Sequence, residues 1–185
     1  MIPDSVQVLA DYQRNLGELR RRLAAASDAD LRRRSAGTRW TNEELLFHMV
    51  FGYMVVQALL PLVRFFGRLP APASKVFARL LNAGTAPFDV VNYLGSKAAA
   101  RVFNRNRMVR KLGRVIDSLE RRLHAESAAT LARGMFFPTR WDPFFKPWMT
   151  LSEVYAYPVK HFDFHAAQLR LPTLQGPENP PRKAL

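Results

Sequence analysis

Not one cysteine occurs in the 185 residues. That absence excludes disulfides, a cysteine nucleophile, iron–sulfur clusters and thiolate zinc sites, so any metal must be held by imidazole and carboxylate. Acidic residues are scarce as well: 15 stand against 28 Lys and Arg, for a net charge of +13. A charge of that size raises nucleic acid or an anionic membrane as partners. The chain nevertheless lacks an aromatic-interleaved RNA motif, a zinc finger and a helix-turn-helix pattern. Its tightest basic runs, Arg20-Arg21-Arg22 and Arg32-Arg33-Arg34, read as a solvated surface rather than a recognition element. The opening MIPDSVQVLADYQ has neither the basic nor the apolar region of a secretory signal, which gives the expectation of a cytoplasmic protein. No strand pattern of any length is visible.

What is present is a helical chain. An apolar share of 48% and a length of 185 residues suffice for one domain with a real core, expected over 1–172, with 173–185 as a Pro-rich flexible tail. From about Ser5 to Ala26, Val8, Leu9, Tyr12, Leu16, Leu19 and Leu23 recur at three- and four-residue steps, the mark of one buried helix face. Thr41 and Glu44 fit a capping box opening a second helix that runs toward Pro61 or, with a kink there, to Phe66. Its apolar stretch Met49–Val63 falls short of the roughly 20 residues a membrane span needs, so a central core helix is expected. Residues 69–106 read as an insertion of two short apolar helices split at Gly84–Pro87, serving as pocket cover, dimer surface or extra core. A third long helix is expected over about Arg107–Ala125. Thr150 and Glu153 form a second capping box, opening a fourth helix that ends before Pro172. The fold class expected is all-α, a four-helix bundle with a short helical insertion between the second and third main helices.

Three of the four histidines suggest chemistry. His161 and His165 lie four apart, on one face of the fourth helix, a spacing at which two imidazoles can converge on one cation. His48 stands on the apolar face of the second helix, where an unpaired polar ring costs about 1–3 kcal/mol. Each pair or lone ring has an ordinary structural reading as a hydrogen-bonded core histidine. Convergence of all three on facing helices would instead build a metal site in the bundle core. His124 sits at a helix C-terminus, where the dipole favours a cation, and is left outside the site. Glu44 is explained by its cap, with a role as imidazole partner of His48 as the alternative. Asp163 is expected to be peripheral, and Gln168 to serve helix packing, with a place facing the site one turn beyond His165 as the alternative. Pro158, one turn before His161, is expected to kink the fourth helix.

The segment Trp40-Thr41-Asn42-Glu43-Glu44-Leu45-Leu46-Phe47-His48 resembles the W-T-x-x-E-x-x-x-H element of the DinB-like superfamily. His161-Phe162-Asp163-Phe164-His165-Ala166-Ala167-Gln168-Leu169 resembles its closing H-x-x-x-H-x-x-Q-[IL]. The resemblance covers most of the chain outside 69–106. It implies a four-helix bundle holding one divalent metal, zinc or nickel, on His48, His161 and His165, and homodimers are common in the family. It also implies kinship with bacillithiol- and mycothiol-dependent S-transferases. The resulting expectation is a metal-dependent enzyme acting on a small-molecule substrate: transfer of a low-molecular-weight thiol such as mycothiol to an electrophile, or hydrolysis by activated water. The alternative is a non-catalytic basic bundle that binds nucleic acid or a membrane surface in a stress response.

Overall fold

The computed structural model describes residues 3–172; the expected C-terminal tail lies outside them. The chain runs α1 (Pro3–Ala25), α2 (Asp28–Arg32), α3 (Asn42–Phe66), α4 (Ala71–Ala83), α5 (Thr85–Val102), α6 (Arg105–His124), α7 (Ala128–Leu131), β1 (Gly134–Phe136), β2 (Trp148–Thr150) and α8 (Leu151–Ala166). Four long helices close a ring of contacts, α1 to α6, α6 to α3, α3 to α8 and α8 back to α1, with α5 against α3 from outside. This is the expected all-α bundle. At its centre the apolar faces meet: Tyr12 and Leu19 of α1, Met49 and Leu60 of α3, Leu112 and Ile116 of α6, and Phe162 of α8 are all fully buried.

Local signals explain where the helices start. Thr41 and Glu44 cap α3 reciprocally, the Glu44 N–H donating to the Thr41 hydroxyl at 3.3 Å and the Thr41 N–H to the Glu44 carboxylate at 2.9 Å. Thr150 and Glu153 do the same for α8 at 3.2 and 2.9 Å. These side chains satisfy backbone donors that a helix start otherwise leaves orphaned.

Neither internal proline ends its helix. Pro61 faces outward on α3, where the carbonyl it leaves unpaired can meet water. Pro158 is buried, and it frees the carbonyl of Val154 from its helical partner. The next carbonyl, of Tyr155, accepts a 2.6 Å hydrogen bond from the Tyr12 hydroxyl, so α1 braces the turn the proline loosens.

Two expectations need correcting. Short strands do exist: β1 and β2 pair antiparallel, Gly134 opposite Thr150 and Phe136 opposite Trp148. At three residues each they are too brief to show an alternating pattern, and Gly134 is required because a Cβ there would lie 2.6 Å from the Met149 carbonyl. In addition, α3 follows the longer of its two expected courses, through Pro61 to Phe66, and so does not fall short: by length and composition it is sufficient to cross a membrane. More than half of its most apolar window, 56%, is buried within the protein, as befits the central helix of a bundle.

Behind α8 the chain is clamped to the start of α3. The buried Asn42 donates to the carbonyls of Asp30 and Arg170, at 2.7 and 3.0 Å, and accepts from the Arg170 N–H at 3.0 Å. The Ala36 N–H donates to the Gln168 carbonyl at 2.7 Å. These bonds fix Gln168 in place, which matters for the site.

Candidate metal centre

His48 lies on α3, His161 and His165 on α8, and the two helices pack directly against each other. The three imidazoles meet there. Each offers one ring nitrogen within 4.8 Å of the other two, and Nε2 of His48 stands 3.2 Å from Nε2 of His161. Two nitrogens bound tetrahedrally to one cation at about 2.0–2.1 Å would be about 3.3 Å apart. The closest pair is therefore already at the spacing of two ligands of one metal. His48 and His161 are buried and His165 half-buried.

The surroundings orient the rings. His165 Nδ1 is 2.7 Å from Gln168 Oε1. A carboxamide oxygen only accepts, so Nδ1 carries the proton and Nε2 is left with a free lone pair. His48 Nδ1 lies 3.3 Å from the Ser96 hydroxyl of α5, which again leaves Nε2 toward the cluster. Trp40 stacks on His48 with centroids 4.4 Å apart at 27°. Burial drives all three pKa values down: His48 to about 3, His161 well below the usual imidazole value, and His165 below it to a lesser degree. All three are thus neutral at neutral pH, the form that donates a lone pair to a metal. His161 Nδ1 is buried without a hydrogen-bond partner. A core built only for packing would not leave three neutral imidazoles nitrogen-to-nitrogen, so the donor set fits a divalent cation.

Several participants escaped sequence reasoning. Gly52 lies one turn beyond His48, and a Cβ there would fall 2.5 Å from His161 Nδ1 and 2.9 Å from Cε1. Only glycine lets α3 approach the ring this closely. The available signal is an isolated glycine inside an apolar helical run, which costs about 1 kcal/mol against alanine and so asks for a packing reason. Asp142, from the segment between β1 and β2, places Oδ2 3.8 Å from His161 Nε2. Because His161 is neutral, this contact is not an ion pair. The Tyr157 hydroxyl donates to Asp142 Oδ2 at 2.7 Å and the Phe144 N–H to Oδ1 at 2.8 Å. Burial raises the Asp142 carboxyl above its ordinary range. Nothing in the local sequence of Asp142 announces this position.

Other expectations resolve as follows. Glu44 serves its cap, and the hydrogen-bond partner of His48 is Ser96. Gln168 takes the alternative place, facing the site and holding His165 rather than serving packing alone. Asp163 is peripheral, paired on the surface with Arg14 at 3.0 and 2.9 Å. His124 ends α6 and is not among the clustered histidines. Beside the histidines a cavity of about 530 Å³ opens between α3, α4–α5 and the 134–147 segment.

A family model described as the DinB superfamily matches residues 11–169, a span that includes all three histidines. No curated protein matches the chain, and no solved structure does.

Proposed function

The chain belongs to the DinB superfamily, and from that membership together with the geometry of its histidine cluster we propose that it is a metal-dependent enzyme. The observation that carries this reading is the convergence of three neutral imidazoles at one end of a cavity large enough for a small molecule. A site with three protein ligands and an open side is the arrangement of a catalytic rather than a closed structural metal. A zinc or nickel ion held by His48, His161 and His165 would supply Lewis acidity, lowering the pKa of a thiol or of water.

The form we favour is transfer of a low-molecular-weight thiol, of which mycothiol is one example, to an electrophilic carbon. A chain without cysteine must take its thiol from a second molecule. In such a transfer a sulfur–carbon bond forms, the displaced group leaves with its bonding electrons, and the thiol proton is released. The protein's own residues prepare the place. Gln168 and Ser96 hold the rings of His165 and His48, Gly52 makes room for His161, and Trp40 shields His48 from water. Hydrolysis uses the same centre with water as nucleophile.

Elemental analysis of the purified protein beside His48→Ala and His161→Ala tests the centre. About one zinc or nickel per chain in the wild type, lost in both variants, is the expected result. A wild type that takes up neither metal on reloading would overturn the proposal. Turnover of a chromogenic electrophile, with and without added thiol, then separates transfer from hydrolysis.

A further inference from the structure

The cavity beside the histidines is lined mainly by apolar side chains, and its polar lining lies near the histidines. On α3 it is lined by His48, Phe51, Val55, Ala58, Leu59 and Leu62, which recur at three- and four-residue steps and so share one face. The run from His48 to Leu62 covers about 21 Å of helix axis.

Away from the histidines the facing wall is also apolar, with Leu81 of α4, Phe88 of α5, and Met135, Phe137 and Phe144 from the 134–147 segment; its polar side chains, Asn92 and Asp142, lie toward the histidine end. It is a built wall. The Trp141 ring stacks on Phe88 with centroids 3.9 Å apart at 8°. Its indole N–H donates to the Leu81 carbonyl at 2.8 Å, and the Arg140 N–H donates to Asn82 Oδ1 at 3.1 Å.

Polar groups free to meet a ligand gather at the histidine end. Asn92 Oδ1 and Trp40 Nε1 are both buried without hydrogen-bond partners, and both residues line the cavity. Asn92 stands one turn before Ser96, the partner of His48, and Trp40 stacks on His48. A buried acceptor and a buried donor left unpaired beside the centre are costly unless a ligand's head group satisfies them.

We propose that the cavity binds an amphiphile: a molecule with an apolar alkyl or acyl body lying along α3 and one polar, metal-binding head at the histidines. The role of the head rests on the metal-centre reading above. The role of the body rests on the apolar lining and its extent along α3 alone. In the proposed transfer this molecule is the electrophile, since the polar thiols of the cell do not match the apolar channel.

The test is calorimetric titration of the zinc-loaded protein with butano-, octano- and dodecanohydroxamic acid. Affinity should rise about fourfold for each methylene that enters the channel. Val55→Phe and Ala58→Trp plug the channel about 10 and 15 Å from His48. Both should leave butanohydroxamate affinity and zinc content unchanged. The gain should end at a shorter chain in Val55→Phe than in Ala58→Trp. Circular dichroism establishes that each variant folds, and the wild-type series decides even where one does not. Equal affinity along the wild-type series would overturn the proposal. So would two folded variants that both keep the wild-type length profile. The same series on chelator-stripped protein separates the two readings. A gain per methylene in a protein that never takes up zinc keeps the channel and refutes the metal centre. Zinc uptake with no gain keeps the centre and refutes the channel.

Discussion

Replacing Gly52 with alanine tests whether the approach of α3 to His161 is what shapes the metal centre. The added Cβ would lie 2.5 Å from Nδ1, 2.9 Å from Cε1 and 3.2 Å from Cγ of an imidazole that is only 2% exposed. Ordinary contact begins near 3.4 Å, so the ring or the helix must yield by close to 1 Å. The ring is the rigid middle of a packed cluster, not the far end of a flexible chain, and cannot swing aside cheaply. Overpacking of this kind costs about 1–3 kcal/mol. Alanine returns up to about 1 kcal/mol through its better helix propensity. The net effect on folding is therefore modest, a loss of about 0–2 kcal/mol.

The effect on metal binding should be larger. His161 Nε2 sits 3.2 Å from His48 Nε2, and a shift of 1 Å is several times the tolerance of about 0.2 Å within which ligand distances must fall. We expect zinc affinity, measured by competition with a calibrated chelator, to fall at least 10–100-fold, the range seen when groups supporting metal ligands are lost. Thermal melting of the metal-free protein should change by only a few degrees. Gly95→Ala is the control, because a Cβ there meets nothing within 4 Å and the substitution should leave affinity unchanged. Wild-type affinity in Gly52→Ala would refute the reasoning, as it would mean that His161 is not held by this contact or is not a ligand.

Two further outcomes follow from the hydrogen bonds around the site. Gln168→Leu removes the acceptor that fixes His165 Nδ1–H at 2.7 Å, and zinc affinity should fall about 10–100-fold with little change in the melting temperature of the metal-free protein, by the same chelator competition. Thr150→Ala removes the hydroxyl half of the α8 capping box and should destabilise the fold by about 1 kcal/mol, a fall of about 2–4 °C in melting temperature by calorimetry, with affinity for zinc close to wild type because His161 lies three turns further on.

What was legible in the sequence was what is encoded locally. Both capping boxes are four-residue patterns, and each appears with both reciprocal bonds made. The i, i+4 spacing of His161 and His165 places them on one face whatever packs against it. His48, 113 positions before its closest partner, was reachable only because a polar ring on an apolar face demands an explanation. The residues that were missed depend on approach in space. The requirement for Gly52 exists only because α8 brings His161 against it. Asp142 reaches the cluster because β1 and β2, two strands too short to read, bring both ends of its segment together. For Gln168 the i, i+3 spacing to His165 left a place at the site as one of two readings; the bond from Ala36 that fixes its backbone comes from a loop more than a hundred residues away and was not legible.

The insertion shows the same division from the other side. Sequence left it as pocket cover, dimer surface or extra core, and its inner residues do the covering: Leu81 and Phe88 wall the cavity while Ser96 bonds His48. The metal ligands come from α3 and α8 of the four-helix scaffold, whereas much of what a ligand body meets comes from α4–α5 and the segment stacked on it through Trp141 and Phe88. Substitutions on the inner face of α4–α5 other than at Asn92 and Ser96 should therefore change which chain lengths are accepted without changing metal content. A Phe88→Ala variant, losing the stacked ring that joins the two halves of the wall, is the sharpest case. It should bind zinc as the wild type does and lose the gradation of affinity with chain length.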